Sequence, residues 1–232
     1  MDNKLPEARL PQEFILDAFA DPSSVRDVVR GILHTIFHHR YFPTITPHTH
    51  DVLDLTLPYV AEPELETLID QRTAALVADL SSSAPSTPSS LPQQAKAMLG
   101  GVVGVGGVGG GREGSSGGGR GRVTVQFMEK SKAGRRRMGM WGGKGEEDVC
   151  WESWTVRVTV AEPKTESERA KVRRATASTL LTTTMKIITS VNTYKDHIPP
   201  ITMQGDANPF PYAITVNQRN DTGGGGMMRG FF

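Results

Sequence analysis

The sequence predicts an α+β domain: an antiparallel sheet covered by helices and interrupted by a disordered insertion rich in Ser, Pro and Gly. Three observations carry this. Val123, Val125 and Phe127 alternate with Thr124, Gln126 and Met128, and Trp154, Val156, Val158 and Val160 alternate with Ser153, Thr155, Arg157 and Thr159. That period of two marks half-buried strands. Three other stretches carry apolar residues at helical spacing. Between Ser81 and Arg122 the composition turns first Ser/Pro-rich and then Gly-rich, with thirteen glycines from Gly100 to Gly121, too little apolar surface to order itself. The expected organisation is one domain over residues 13–218, interrupted by a low-complexity linker at 81–122, with a disordered tail at 219–232.

In chain order, Glu13 to Ala20 is a short apolar run that reads as a strand. Asp21-Pro22-Ser23 reads as a helix start, with Asp21 as N-cap and Pro22 in the first turn. Val25, Val28, Val29, Ile32, Ile36 and Phe37 then fall on one helical face that should end near Arg40, before Pro43. Val52 to Val60 alternates again, as an edge strand or one that ends at Pro58. Glu62 to Leu80 returns to helical period through Leu65, Leu68, Ile69, Leu76 and Leu80. Within the linker, Gln93 to Leu99 could form at most a helical turn. Thr165-Glu166-Ser167-Glu168 has the form of a capping box. It opens the longest helix, whose expected buried face is Ala177, Leu180, Leu181, Thr184, Ile187, Ile188 and Val191. Tyr212 to Val216 is a last short strand.

The two strongest strand patterns, placed antiparallel, make a central hairpin. Their connection, Glu129 to Val149, is about twenty residues, where hairpins ordinarily use about two to five, and a connection that long is usually functional or disordered. It is also basic. Between Gly100 and Gly145 nine Lys and Arg face only Glu113 and Glu129, in a chain of net charge +1. The rest of the chain is therefore mildly acidic. Lys130, Lys132, Arg135, Arg136 and Arg137 crowd into eight residues, a cluster that reads first as a solvated loop and next as a contact for phosphate on an anionic membrane or a phosphoprotein. Aromatic residues for base stacking are not interleaved with it, so nucleic acid is the least favoured partner.

A lone cysteine, Cys150, excludes an internal disulfide and fits a reducing compartment. Residues Met1 to Pro11, with charges of both signs and two prolines, do not read as a signal peptide. The expectation is a soluble intracellular protein. Gly104-Val105-Gly106-Gly107-Val108-Gly109 has the letters of a dinucleotide fingerprint but lacks the strand and helix that would make it bind pyrophosphate. His34 and His38 stand four apart without the glutamate of a zincin, and read as residues flanking the core face. Cys150 reads as a small filler beside Trp151 rather than a nucleophile. No cofactor, metal or catalytic group is expected. Trp154, sharing a face with three valines, is assigned to the core, and Trp151, three residues away, to the wetter face. Trp141, with Met140 beside it and Gly139, Gly142 and Gly143 around it, has no local core to join and reads as an interface anchor, the alternative being a fold-back onto the domain.

These residues resemble the autophagy-related protein 101 family. The resemblance rests on Gly31-Ile32-Leu33-His34-Thr35-Ile36-Phe37-His38-His39-Arg40, on Val123-Thr124-Val125-Gln126-Phe127 with Lys130 and Lys132, and above all on Trp151-Glu152-Ser153-Trp154-Thr155-Val156-Arg157-Val158. Ile187-Ile188 to His197 with Pro199, and Pro211-Tyr212-Ala213-Ile214, are weaker echoes. The resemblance implies a HORMA-like fold without catalysis and pairing with the HORMA domain of autophagy-related protein 13. It also implies a scaffold role in the autophagy-initiating Ser/Thr kinase complex, in the cytoplasm and at the phagophore assembly site. The family carries a Trp-Phe finger in the loop before the Trp151 strand; Trp141 is the tryptophan there, followed by Gly142 and Gly143 instead of a phenylalanine. The competing reading is a phosphate- or membrane-binding adaptor acting through Lys130 to Arg137.

Overall fold

The computed structural model describes residues 10–42, 46–82, 119–130, 148–201 and 208–217. In chain order these form β1 (Gln12–Ala20), α1 (Val25–Arg40), β2 (His48–Val52), β3 (Leu55–Tyr59), α2 (Pro63–Ser82), β4 (Arg120–Lys130), β5 (Asp148–Val160), α3 (Glu166–Thr193) and β6 (Tyr212–Val216). The fold is α+β. Its main sheet has four strands in the order β1-β5-β4-β6, and β2 and β3 pair separately. The predicted hairpin is the centre of the sheet: β4 and β5 run antiparallel from Arg120 opposite Thr159 to Lys130 opposite Asp148.

The sheet is mixed rather than wholly antiparallel. β6 adds antiparallel to β4, but β1 lies parallel to β5, from Gln12 beside Glu152 to Ala20 beside Val160. Alternation has the same period in both orientations, so the sequence carried no signal for this edge. The long chain between β1 and β5 supplies the crossover that a parallel pair requires.

Helices cover one face. Leu16, Ala18 and Ala20 of β1, Val123, Val125 and Phe127 of β4, and Trp154, Val156 and Val158 of β5 are buried beneath them. α1 is buried on nearly every side, including Ile32, Leu33, Ile36 and Phe37, as a helix in the middle of its layer must be. Gly31 lets β2 and β3 come close: a Cβ there would lie 2.8 Å from Leu57 Cδ1. The start of α1 is tighter than predicted. Asp21 Oδ1 accepts from the Ser23 and Ser24 amides at 2.9 and 2.8 Å, so it caps the turn ahead of the helix, whose own N-cap is Ser24.

Two elements depart from the sequence reading. The single strand expected over Val52–Val60 is the second half of a tight hairpin, with Leu53 at the turn in left-handed backbone (φ 55°). β2, His-Thr-His-Asp-Val, has no apolar alternation to announce it. In α3 the capping box forms as predicted, Thr165 accepting from the Glu168 amide and Glu168 from that of Thr165. Its buried stripe, however, is Thr176, Leu180, Thr183, Thr184, Ile187, Ser190 and Val191, while Leu181 is 48 % exposed. Thr183 Oγ1 donates to Asp17 O at 2.6 Å and Lys186 Nζ to Ile15 O at 2.7 Å. The helix thus faces the outer edge of β1 with polar side chains that satisfy its carbonyls, which is how an edge strand is blunted.

Of the expected linker at 81–122, Ser81 and Ser82 complete α2, and Arg120 to Arg122 open β4. Residues 83–118 lie outside the described residues, as does the tail from 218. No described helix is long and apolar enough to cross a membrane.

Candidate functional site

Met140 and Trp141, with Lys132, Arg135, Arg136 and Arg137, lie outside the described residues, and Lys130 is the last residue of β4. The structure therefore places the root from which that loop departs, where Lys130 faces Asp148.

The root is built around a bulge. The β4–β5 register slips between Phe127 and Met128, so that Phe127 faces Glu152 and Met128 faces Cys150. Trp151 is the extra residue, and a bulge re-aims the side chain it carries. Its ring sits 5.8 Å from Phe127, 5.1 Å from Phe210 and 5.6 Å from the His197 imidazole. The expectation of a wetter position for Trp151 is thereby corrected: it is 7 % exposed, and Trp151, Glu152, Ser153 and Trp154 are buried in succession. Strict alternation fails here because the bulge changes the count. Trp154 is core as expected, its ring stacked on Phe14 at 4.1 Å.

Sequence reasoning missed Glu152, whose side chain is fully buried. Arg40 Nε, at the end of α1, donates to its two oxygens at 2.8 and 3.0 Å. The Trp154 indole N–H donates to Oε1, and His197 Nε2 lies 2.6 Å from Oε2. Arg40 also reaches Tyr194 O at 3.4 Å. One carboxylate thus joins α1, β5 and the segment after α3, with bonds to three side chains. Buried charges persist only when paired and hydrogen-bonded in this way. The signal was in the sequence: by alternation Glu152 shares the face of Trp154, which the same pattern assigns to the core.

Above this clamp a small cavity of about 70 Å³ is bordered by Leu10, Glu129, Val149, Cys150, His197 and Pro199. Cys150 is half-buried and its thiol donates to Glu152 O at 3.4 Å. Burial pushes that thiol up from its ordinary value, which disfavours the thiolate and suits a filler rather than a nucleophile. His34 does not flank the core but lies inside it, 1 % exposed and stacked on Tyr59 at 4.1 Å. Burial first, then the charges of Arg30 and His50, pull its imidazole down to about 3. It is neutral at physiological pH.

The arrangement at the root fixes the two strand ends between which residues 131–147 run. The family model described as Autophagy-related protein 101 matches residues 17–205, from β1 to beyond α3. Autophagy-related protein 101 of Schizosaccharomyces pombe is 22 % identical over 204 residues, covering 88 % of this chain and 85 % of the relative.

Proposed function

The chain belongs to the autophagy-related protein 101 family, and from that premise we propose that it is a non-catalytic scaffold subunit of the autophagy-initiating kinase complex. In this reading residues 13–218 form one HORMA-like domain that pairs with the HORMA domain of autophagy-related protein 13. The loop carrying Met140 and Trp141 recruits later factors, in the cytoplasm and at the phagophore assembly site.

The observation that carries the reading is the clamped root. A long connection between two strands would ordinarily loosen a hairpin, yet here Glu152, Arg40, His197 and Trp154 lock its base. A rigid base lowers the ordering cost when the loop engages a partner. The body also leaves apolar surface uncovered, Leu181 and Met185 one turn apart on α3 at 48 % and 53 % exposed. Pairing of folded bodies needs preorganised surface of that kind, roughly 800 Å² per side.

Co-expression with the HORMA domain of autophagy-related protein 13 tests this. A one-to-one complex on size-exclusion chromatography is expected, and it should survive Arg135→Glu, Arg136→Glu and Arg137→Glu together. The adaptor reading, in which Lys130 to Arg137 hold phosphate or anionic membrane, predicts no such complex. It also predicts steeply salt-dependent binding that the same charge reversals abolish.

A further inference from the structure

The face of the sheet turned away from the helices carries a second charge arrangement, at the opposite end of the hairpin. Arg122 of β4 stands directly opposite Arg157 of β5. Like charges in register across an antiparallel pair are destabilising. Asp17, beside Arg157 on β1, relieves one of them: its carboxylate accepts from Arg157 Nε and a terminal nitrogen at 2.8 and 3.0 Å. Arg120, two residues before Arg122, shares its face of β4. Among the described residues neither the Arg120 nor the Arg122 guanidinium has a hydrogen bond or ion pair. Both line an open depression of about 670 Å³ with Arg157, Asp17, Ile15 and Thr159.

Two other acids border this end. Glu13, four residues before Asp17 and about 13 Å along the strand, lines the far side of the depression, and Asp79 of α2 accepts at 2.8 Å from the Asn217 amide, whose oxygen takes the Arg122 backbone N–H. Asp148 is at the far end of the hairpin, ten residues along β4, or about 33 Å. Two free guanidinium forks beside a third suit a compact, multiply charged anion, because arginine binds phosphate bidentately. An extended polyanion or a lipid surface fits less well, since it would press its charges on Asp17 and Glu13. Ile15, 47 % exposed between those two acids, offers apolar contact that a peptide can use and a free phosphate cannot.

We propose that this open face binds a phosphorylated peptide segment of a partner protein, with Arg120 and Arg122 holding the phosphate and Ile15 meeting a neighbouring apolar side chain. The site is separate from the loop and does not depend on the pairing proposed above.

The test is fluorescence anisotropy on the full chain with a randomised peptide pool carrying a central phosphoserine, against the same pool with serine. The phosphorylated pool should bind saturably and the serine pool should not. Arg120→Gln with Arg122→Gln should weaken binding about tenfold or more, and Arg120→Lys with Arg122→Lys by less, since charge is kept but the fork is lost. Asp17→Asn, which frees the Arg157 fork, should tighten it. Unchanged melting by circular dichroism establishes that each variant is folded. Equal binding of both pools, or binding of neither, would overturn the proposal. So would loss of binding on reversing Arg135, Arg136 and Arg137 but not on changing the sheet arginines. Dependence of phosphatidylserine vesicles, rather than the phosphopeptide, on Arg120 and Arg122 would equally overturn it.

Discussion

The two ends of the central hairpin are built on different rules. Toward Arg120 and Val160, β5 alternates, with Val156, Val158 and Val160 inward and Arg157 and Thr159 in solvent. The ion pair there, Asp17 with Arg157, is exposed on both sides. Toward Lys130 and Asp148, four successive residues are buried and a full charge sits among aromatic rings. The first end rests mainly on buried apolar area, its polar bonds lying at the solvent-facing edge. The second combines that area with a polar clamp that tolerates little change, and the loop proposed to carry recruitment departs from it. The contrast separates a surface on which ligands can rest from a base that must hold still.

The sharpest way to break this comparison is to remove the clamp. Glu152→Ala leaves Arg40 buried without its partner, which typically costs about 3–5 kcal/mol. Trp154→Ala empties the stack against Phe14 at a comparable cost of about 3–5 kcal/mol. Either is a large part of a small domain's stability. Arg157→Ala, at the other end, removes an exposed pair and should leave the melting temperature nearly unchanged. Urea unfolding of the three variants checks the ordering, and similar losses at both ends would erase the distinction.

That distinction also decided what could be read from the sequence. The alternating end was legible: Val123 to Phe127 and Val156 to Val160 announced their partners and their buried face. So did Thr165 with Glu168, because a capping box is local chemistry. Trp151 was misplaced because one extra residue at a bulge inverts the count, and nothing in the local pattern shows where a bulge falls. β2 was invisible because a two-stranded ribbon with one covered residue, Val52, needs no apolar alternation. α3 was read by hydrophobicity, which favoured Leu181, whereas its inner stripe is threonine-rich because Thr183 serves a β1 carbonyl. Met140 and Trp141 stand on the family resemblance and on their sequence surroundings alone.

Acid sharpens the comparison between a buried group and a clamped one. His34 has its pKa pulled from 6.5 down to about 3 by burial, Arg30 and His50. Between those values the unfolded chain binds a proton that the folded chain refuses. Stability from this source is therefore complete above about pH 6.5 and declines as the pH falls toward about 3. His34→Phe keeps a ring against Tyr59 and should flatten that decline between pH 6.5 and 4, in urea unfolding at several pH values. Parallel slopes for the two proteins would assign the acid sensitivity elsewhere.

A smaller effect is expected from shortening the insertion. Gly119 lies against Leu80, so a Cβ built on it would be 3.1 Å from Leu80 Cδ2, and the two ends of the excursion are neighbours. Replacing residues 83–118 with a short Gly-Ser link should leave the melting temperature within a few degrees, because closure entropy changes only logarithmically with length. Loss of a cooperative transition would show that the segment contributes to the core.

The central claim is that the root holds and the loop recruits, so a change in the loop should leave both stability and pairing untouched. Trp141→Ala measures it most directly. The variant should melt with the unsubstituted chain and elute as an intact heterodimer with the HORMA domain of autophagy-related protein 13. In cells it should recruit later autophagy factors poorly, since a partner pocket loses an aromatic anchor that contributes about 2 kcal/mol or more. Dissociation of the heterodimer by this single change, or normal autophagosome formation with it, would contradict the account.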